Sequence, residues 1–443
     1  MSSPAAARHK LGFAMGVALV VGNMVGSGAF LLPASLAPLG WNSVLGWLAT
    51  IAGSLCLAVA LARIARGFSG GCAPFAYTAA AFGPGAGFLV AWAYWISIWV
   101  TNAALALAVV SNLSILAPRL AEPAASTAIA IAMIWAMTLI NCRGVRTAGG
   151  VQVLTTLLKI LPLLGAILVG AWALAGERAA LPAVDAPPLS FAALSTAATF
   201  TLFAMLGFES AMVADGRVGG ADRTVPRVTL VGTALTGLIY LFACSAVTLL
   251  LPAADVAASN APFATFFSAL VGPEVGALVA VFAAIAALGA LNGFVLLQGE
   301  PPLALARERL LPGWFCAENR FEAPWRIHLI SSALATALVL VNGSRGLAGL
   351  FQFMVLVTTS ATIIFYLAGA AAALKLAREG RIAWSAGYAA IAALGFLYSL
   401  WALYGAGIEA SAWSLAMTAA GLPVYLLMSR ASRAAAIPAA SPG

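Results

Sequence analysis

Two short runs in this 443-residue sequence set glycine beside polar or ionisable side chains inside long apolar stretches. The first is Gly22-Asn23-Met24-Val25-Gly26-Ser27-Gly28, with Pro33 shortly after it. A glycine weakens a helix by about 1 kcal/mol relative to alanine and admits backbone geometries that other residues resist. The run therefore predicts a local unwinding near Gly26 to Gly28. At membrane depth, unwound backbone is tolerated only where it is buried in protein or lines a cavity. It frees amide donors at the start of the second half-helix, and their aligned dipoles form a seat for a carboxylate. Small residues also serve as a plain helix-packing face, and the run alone leaves both readings open.

The second run, Leu202-Phe203-Ala204-Met205-Leu206-Gly207-Phe208-Glu209-Ser210, puts a carboxyl beside a glycine. An ionisable group inside a bilayer costs at least a few kcal/mol, roughly, and is retained for function or paired with a partner. The alternative places Glu209 at a span end, at water level near Asp215 and Arg217. Lys159 is the other charge that no loop accommodates. It lies roughly ten residues, or about 15 Å, into its span. It is read either as an interfacial lysine that snorkels to water or as a buried amine that exchanges a proton as the protein changes state. Asn102 follows Trp95, Ser97 and Trp99, and Thr358-Thr359-Ser360 adds hydroxyls elsewhere; each of these polar groups also suits a simple bond to a neighbouring helix.

The elements that position these residues follow from composition. The chain is 63% hydrophobic and only 8% charged, which rules out a water-soluble surface. Apolar stretches long enough to cross a bilayer fall near 11–36, 41–64, 84–114, 124–142, 149–175, 189–213, 228–251, 274–299, 327–343, 347–374, 384–406 and 408–429. This defines an all-α polytopic membrane protein of about twelve transmembrane helices in a single transmembrane domain. If the N-terminus is cytoplasmic, only Arg119, Arg178 and Arg345 fall on the opposite side. Every other Lys and Arg except Lys159 falls on the cytoplasmic side. The net charge of +8 is thereby read as orientation in the bilayer, with both termini cytoplasmic, rather than as affinity for nucleic acid. The basic N-terminus before the first apolar run is kept with that span, since the run exceeds signal-peptide length and offers no clear cleavage site. The five cysteines and two histidines have no metal-ligand spacing, and no phosphate loop or nucleophile elbow appears. Neither an enzyme nor a cofactor is expected.

The interrupted first and sixth spans stand at corresponding places of two five-helix halves, about 11–175 and 189–374, with extra helices at about 384–429. In transporters built from inverted repeats, such a pair forms the substrate site near the midplane. A channel or a non-transporting receptor stands against this, although no ring of charges or repeated filter sequence is visible.

The run from Gly22 to Pro33 resembles the unwound first helix of the amino acid–polyamine–organocation superfamily, most closely its bacterial arginine/agmatine antiporter branch. The similarity continues through Ser69-Gly70-Gly71, Ala81-Phe82-Gly83-Pro84, Tyr94-Trp95 to Asn102, Gly207-Phe208-Glu209-Ser210-Ala211, Arg223-Thr224-Val225-Pro226 and Leu310-Leu311-Pro312. It covers nearly the whole chain. The resemblance implies a five-plus-five inverted repeat with two further helices, located in a bacterial inner membrane. It also implies a small-molecule substrate bound by Asn23, Ser27, Gly28 and Asn102, and proton-linked gating at Glu209. Phe203 and Phe294 stand where that branch carries tryptophans over the guanidinium, and phenylalanine is a weaker cation–π surface. Leu105 replaces a methionine. Lys159 looks instead like the lysine of proton-coupled amino acid carriers in the same superfamily. The expected activity is exchange of a cationic amino acid for its decarboxylated amine, with a proton-coupled neutral amino acid permease or exporter as the alternative. The oligomeric state is open, a homodimer included.

Overall fold

The computed structural model describes residues 17, 20–22, 24–26, 28–65, 73–179, 187–209 and 221–436. All regular structure among them is helical. In chain order, α1 is Gly28–Leu36, α2 Trp41–Ala65, α3 Ala73–Phe82, α4 Pro84–Leu113, α5 Pro123–Cys142, α6 Val145–Ala175, α7 Phe191–Met205 and α8 Ala221–Leu249. There follow α9 Ala253–Ala258, α10 Pro262–Leu270, α11 Pro273–Leu297, α12 Glu300–Arg307, α13 Trp325–Val341 and α14 Gly346–Arg378. The chain closes with α15 Ala386–Gly405, α16 Gly407–Ala419 and α17 Gly421–Ala436.

Local chemistry explains many of the boundaries. Pro84, Pro123, Pro262 and Pro273 each open a helix, where a missing amide costs nothing because it would have had no intrahelical partner. Ser190 and Ser385 cap α7 and α15, their side chains accepting from the amides of Ala193 and Tyr388.

Nine helices among the described residues are long and apolar enough to cross a membrane, and three shorter apolar helices lie at Gly28–Leu39, Phe191–Met205 and Trp325–Val341. Burial sorts them into layers. The apolar window of α4 is 100% buried, whereas that of the α16–α17 segment is 17% buried. A helix apolar on every side and wholly covered by protein is a central post. Leu415, Leu422 and Leu427 instead face outward, as a lipid-facing helix requires. Around α4 pack α11, α14 and α5, and this central group carries most of the polar side chains discussed below.

The helices depart from the expected spans in three places. Among the described residues of the sixth span, expected over 189–213, the helix runs from Phe191 to Met205. The last, expected over 408–429, is divided at Ala420 into α16 and α17. Short helices α3, α9, α10 and α12 occupy stretches expected as loops. Their apolar content is too brief to register as a span, yet it is used: Leu303 and Leu305 of α12 bury against Phe88 and Ala91 of α4.

Candidate functional site

The first helix breaks where the glycines predict. Residues 20–22 and Met24 are helical, Val25 and Gly26 are not, and the helix resumes at Gly28. The last amide bond before the gap runs from Val25 N to Val21 O at 2.8 Å. Asn23 and Ser27 lie outside the described residues. A broken helix in an apolar surround leaves carbonyls that must find donors, and side chains from distant helices supply them. Lys159 of α6 donates from Nζ to Gly22 O at 3.3 Å, and Tyr240 of α8 donates from its hydroxyl to Met24 O at 2.8 Å. Cys244, one turn beyond Tyr240, directs its thiol at Ala29 O, 3.5 Å away. Lys159 is fully buried, so it is an interior amine tied to the first helix and does not snorkel to water.

Gly28 is a close approach. A Cβ there would lie 3.0 Å from two ring atoms of Phe203 and 3.4 Å from Ala204 Cα, inside the ordinary carbon contact range of about 3.5–4.0 Å. Phe203 therefore lies across the opening of the second half-helix, and Phe351 of α14 meets its ring at 6.3 Å and 89°. At Gly26, Ala290 of α11 and Leu105 of α4 are the nearest side chains, 3.1 and 4.0 Å from an added Cβ.

The helix of the sixth span also ends early, at Met205. After Met205 the backbone turns extended at Leu206 (φ −60°, ψ 143°), and Gly207 takes φ 109°, a region that only glycine enters freely. The turn carries Glu209 back into the protein, where it is buried. Its carboxylate accepts from Gly207 N at 3.1 Å, Tyr366 Oη of α14 at 3.0 Å and Tyr94 Oη of α4 at 3.5 Å. All three donors are uncharged. Glu209 is thus an enclosed acid, and the reading that placed it at water level is overturned.

On α11, Ala290, Phe294 and Gln298 recur every four residues and share one face. Ala290 abuts Gly26, and Gln298 receives a hydrogen bond from Asn102 Nδ2 at 2.8 Å. Phe294, half-buried, lies between these two contacts. Asn102 stands one turn from Leu105 on α4, so the packed pair α4 and α11 forms a wall that carries the amide pair and also meets the break of the first helix at Gly26. The hydroxyls of Thr359 and Ser360 bond their own helix at Val355 O and Leu356 O, the plain structural role. Thr358 meets Thr101 at 3.5 Å.

Gly28, Phe203, Leu105 and Ala290 are thereby brought together, with Asn102 and Phe294 along the same wall. Lys159 and Glu209 sit apart, one behind the first break and the other in the turn after α7. Sequence reasoning did not single out Gln298, Tyr240 or Tyr366. A glutamine in an apolar run was a usable signal for Gln298. The tyrosines offered none, since an aromatic residue in a span is most often core.

A first helix interrupted at Val25–Gly26 and a sixth-span helix that ends at Met205, packed through Phe203 and with buried ionisable side chains at each, form the plan of a membrane transporter rather than an enzyme. The comparison with known proteins agrees: the amino acid permease family model matches residues 11–428, and this chain belongs to that family. It is similar to the cadaverine/lysine antiporter of Escherichia coli (strain K12), 31% identical over 340 residues covering 77% of this chain and 76% of that protein. It is similar also to the putrescine transporter PotE of the same strain, 28% identical over 431 residues covering 95% and 96% of the two chains. The putrescine transporter PotE of Haemophilus influenzae is 28% identical over 424 residues, covering 94% and 96%. The chain is accordingly a multi-pass membrane protein of a transporter family whose relatives include basic amino acid and polyamine antiporters.

Proposed function

We propose that this protein is a secondary active exchanger of a cationic amino acid and its decarboxylated amine, working by alternating access. The observation that carries the reading is the break of the first helix at Val25–Gly26 and the end of the sixth-span helix at Met205, the two meeting where Phe203 covers Gly28. In this reading the freed amides at Ser27 and Gly28 hold the substrate carboxylate, with Asn23 and Asn102 as further polar contacts and Phe203 and Phe294 enclosing the chain of the substrate. Glu209 and Lys159 serve gating and proton linkage. The three short apolar helices complete twelve spans, arranged as a five-plus-five inverted repeat over about 11–175 and 189–374, with two extra helices over about 384–429. Both termini face the cytoplasm of a bacterial inner membrane. The named cargo of the relatives, lysine with cadaverine and putrescine, supports a cationic substrate, and the arginine/agmatine pair belongs to the same class.

Buried Lys159, bonded to the first helix, favours the second reading of a proton-coupled neutral amino acid permease. Protein reconstituted in liposomes and loaded with a panel of amino acids and amines separates the two. Exchange is expected to require a cationic substrate on both faces. Uptake of neutral amino acids without internal substrate supports the permease, and neither exchange nor uptake across the panel refutes both.

A further inference from the structure

Asn102 and Gln298 reach across from α4 and the end of α11 and bond through their carboxamides. Both side chains are enclosed. Each carboxamide carries one oxygen and one NH2 group, so a single bond between two of them uses one oxygen and one nitrogen and leaves one of each. Here Asn102 Oδ1 and Gln298 Nε2 remain, and neither has a hydrogen-bond partner. Turning both amides over would again leave one acceptor beside one donor. Buried polar atoms left unpaired are costly, and two of them, one on each member of a bonded amide pair on α4 and the end of α11, mark a place where a ligand completes the bonding.

We propose that Gln298 is a specificity-determining residue of the substrate site: it holds Asn102 so that one free carbonyl oxygen receives a compact primary ammonium, and it opposes a guanidinium. The proposal rests on the exchanger reading of the same site. A primary ammonium concentrates its charge on one nitrogen, which a single oxygen can meet. A guanidinium is a planar fork of five donors that is best met by two parallel acceptors. Besides Asn102 Oδ1, the other unpaired group of the amide pair is the NH2 of Gln298, a donor where the fork needs a second acceptor. The substrate class is then a diamino acid ending in a primary amine, exchanged for the corresponding diamine.

The test is counterflow in proteoliposomes, with lysine competing against arginine and cadaverine against agmatine, for the wild-type protein, Gln298→Glu and Gln298→Leu. Wild-type protein is expected to prefer lysine and cadaverine. Gln298→Glu keeps an acceptor for Asn102 Nδ2 and turns the neighbouring donor into a second acceptor. The lysine-over-arginine ratio should fall by about tenfold or more, the size of one hydrogen bond to a charged group, mainly through KM. Gln298→Leu frees Asn102 to turn and should raise KM for lysine with little change in maximal rate. A wild-type preference for arginine, or an unchanged ratio in Gln298→Glu, overturns the proposal, and the first of these needs no variant to fold. Absence of any exchange by wild-type protein refutes the exchanger reading instead.

Discussion

Replacing Gly28 by alanine probes the junction of the first helix and the sixth-span helix directly. The added methyl carbon would sit 3.0 Å from the Phe203 ring and 3.4 Å from Ala204 Cα. Relaxing the first contact to an ordinary separation of about 3.5–4.0 Å requires the ring to move by about 0.5–1 Å. Phe351 stands against that ring, so it cannot retreat freely. Overpacking of this kind costs about 1–3 kcal/mol, and at about 1.4 kcal/mol per factor of ten the expected rise in KM is roughly 5- to 150-fold. The amide of residue 28 survives the change, so the loss reports on the ring and not on the peptide seat. Equilibrium exchange of labelled lysine in proteoliposomes measures it, as a double-mutant cycle with Phe203→Ala. Because removing the ring removes the clash, the cycle should return a coupling of about 0.5–3 kcal/mol. An unchanged KM in Gly28→Ala, or additive losses in the double variant, would refute the idea that Phe203 caps the second half-helix.

Lys159→Ala should alter the pH dependence of uptake as well as its rate, because it removes the buried amine on Gly22 O; an identical pH profile would return the lysine to a purely structural role. Glu209→Gln keeps an acceptor for Gly207 N and Tyr366, so thermal stability in detergent should hold while the pH dependence of exchange flattens; a retained pH response would remove Glu209 from proton linkage. Gly207→Ala forces a side chain into φ 109° and should lower stability by about 1–2 kcal/mol, read as a drop in melting temperature; no drop would mean the turn after Met205 is not built as described.

Much of the architecture was legible in the residues themselves. Long apolar runs, proline at helix starts and the sparse charges mark the membrane helices, because a bilayer admits only segments that satisfy their own backbone. The glycines from Gly22 to Gly28 marked a weak point in the first helix, and the break at Val25–Gly26 falls there. Glu209 and Lys159 stood out as charges that no loop could take. The end of α7 at Met205 was less visible, since Leu206 and Phe208 are as apolar as the helix before them. The extended ψ of Leu206 and the positive φ of Gly207 separate turn from helix.

What the sequence by itself determined about this protein is capacity: which segments can span lipid, where a helix is easily opened, and which side chains carry charge into the interior. Only the tertiary structure decided the partners. Met24 O is met by Tyr240 and Glu209 by Tyr366, and Asn102 by Gln298, in each case across more than a hundred residues of chain. A side chain's type states what it can donate or accept, but the choice among many tyrosines and amides is made by which helix faces pack together. That choice depends on the fit of the whole bundle around α4 and is written in no single stretch of residues.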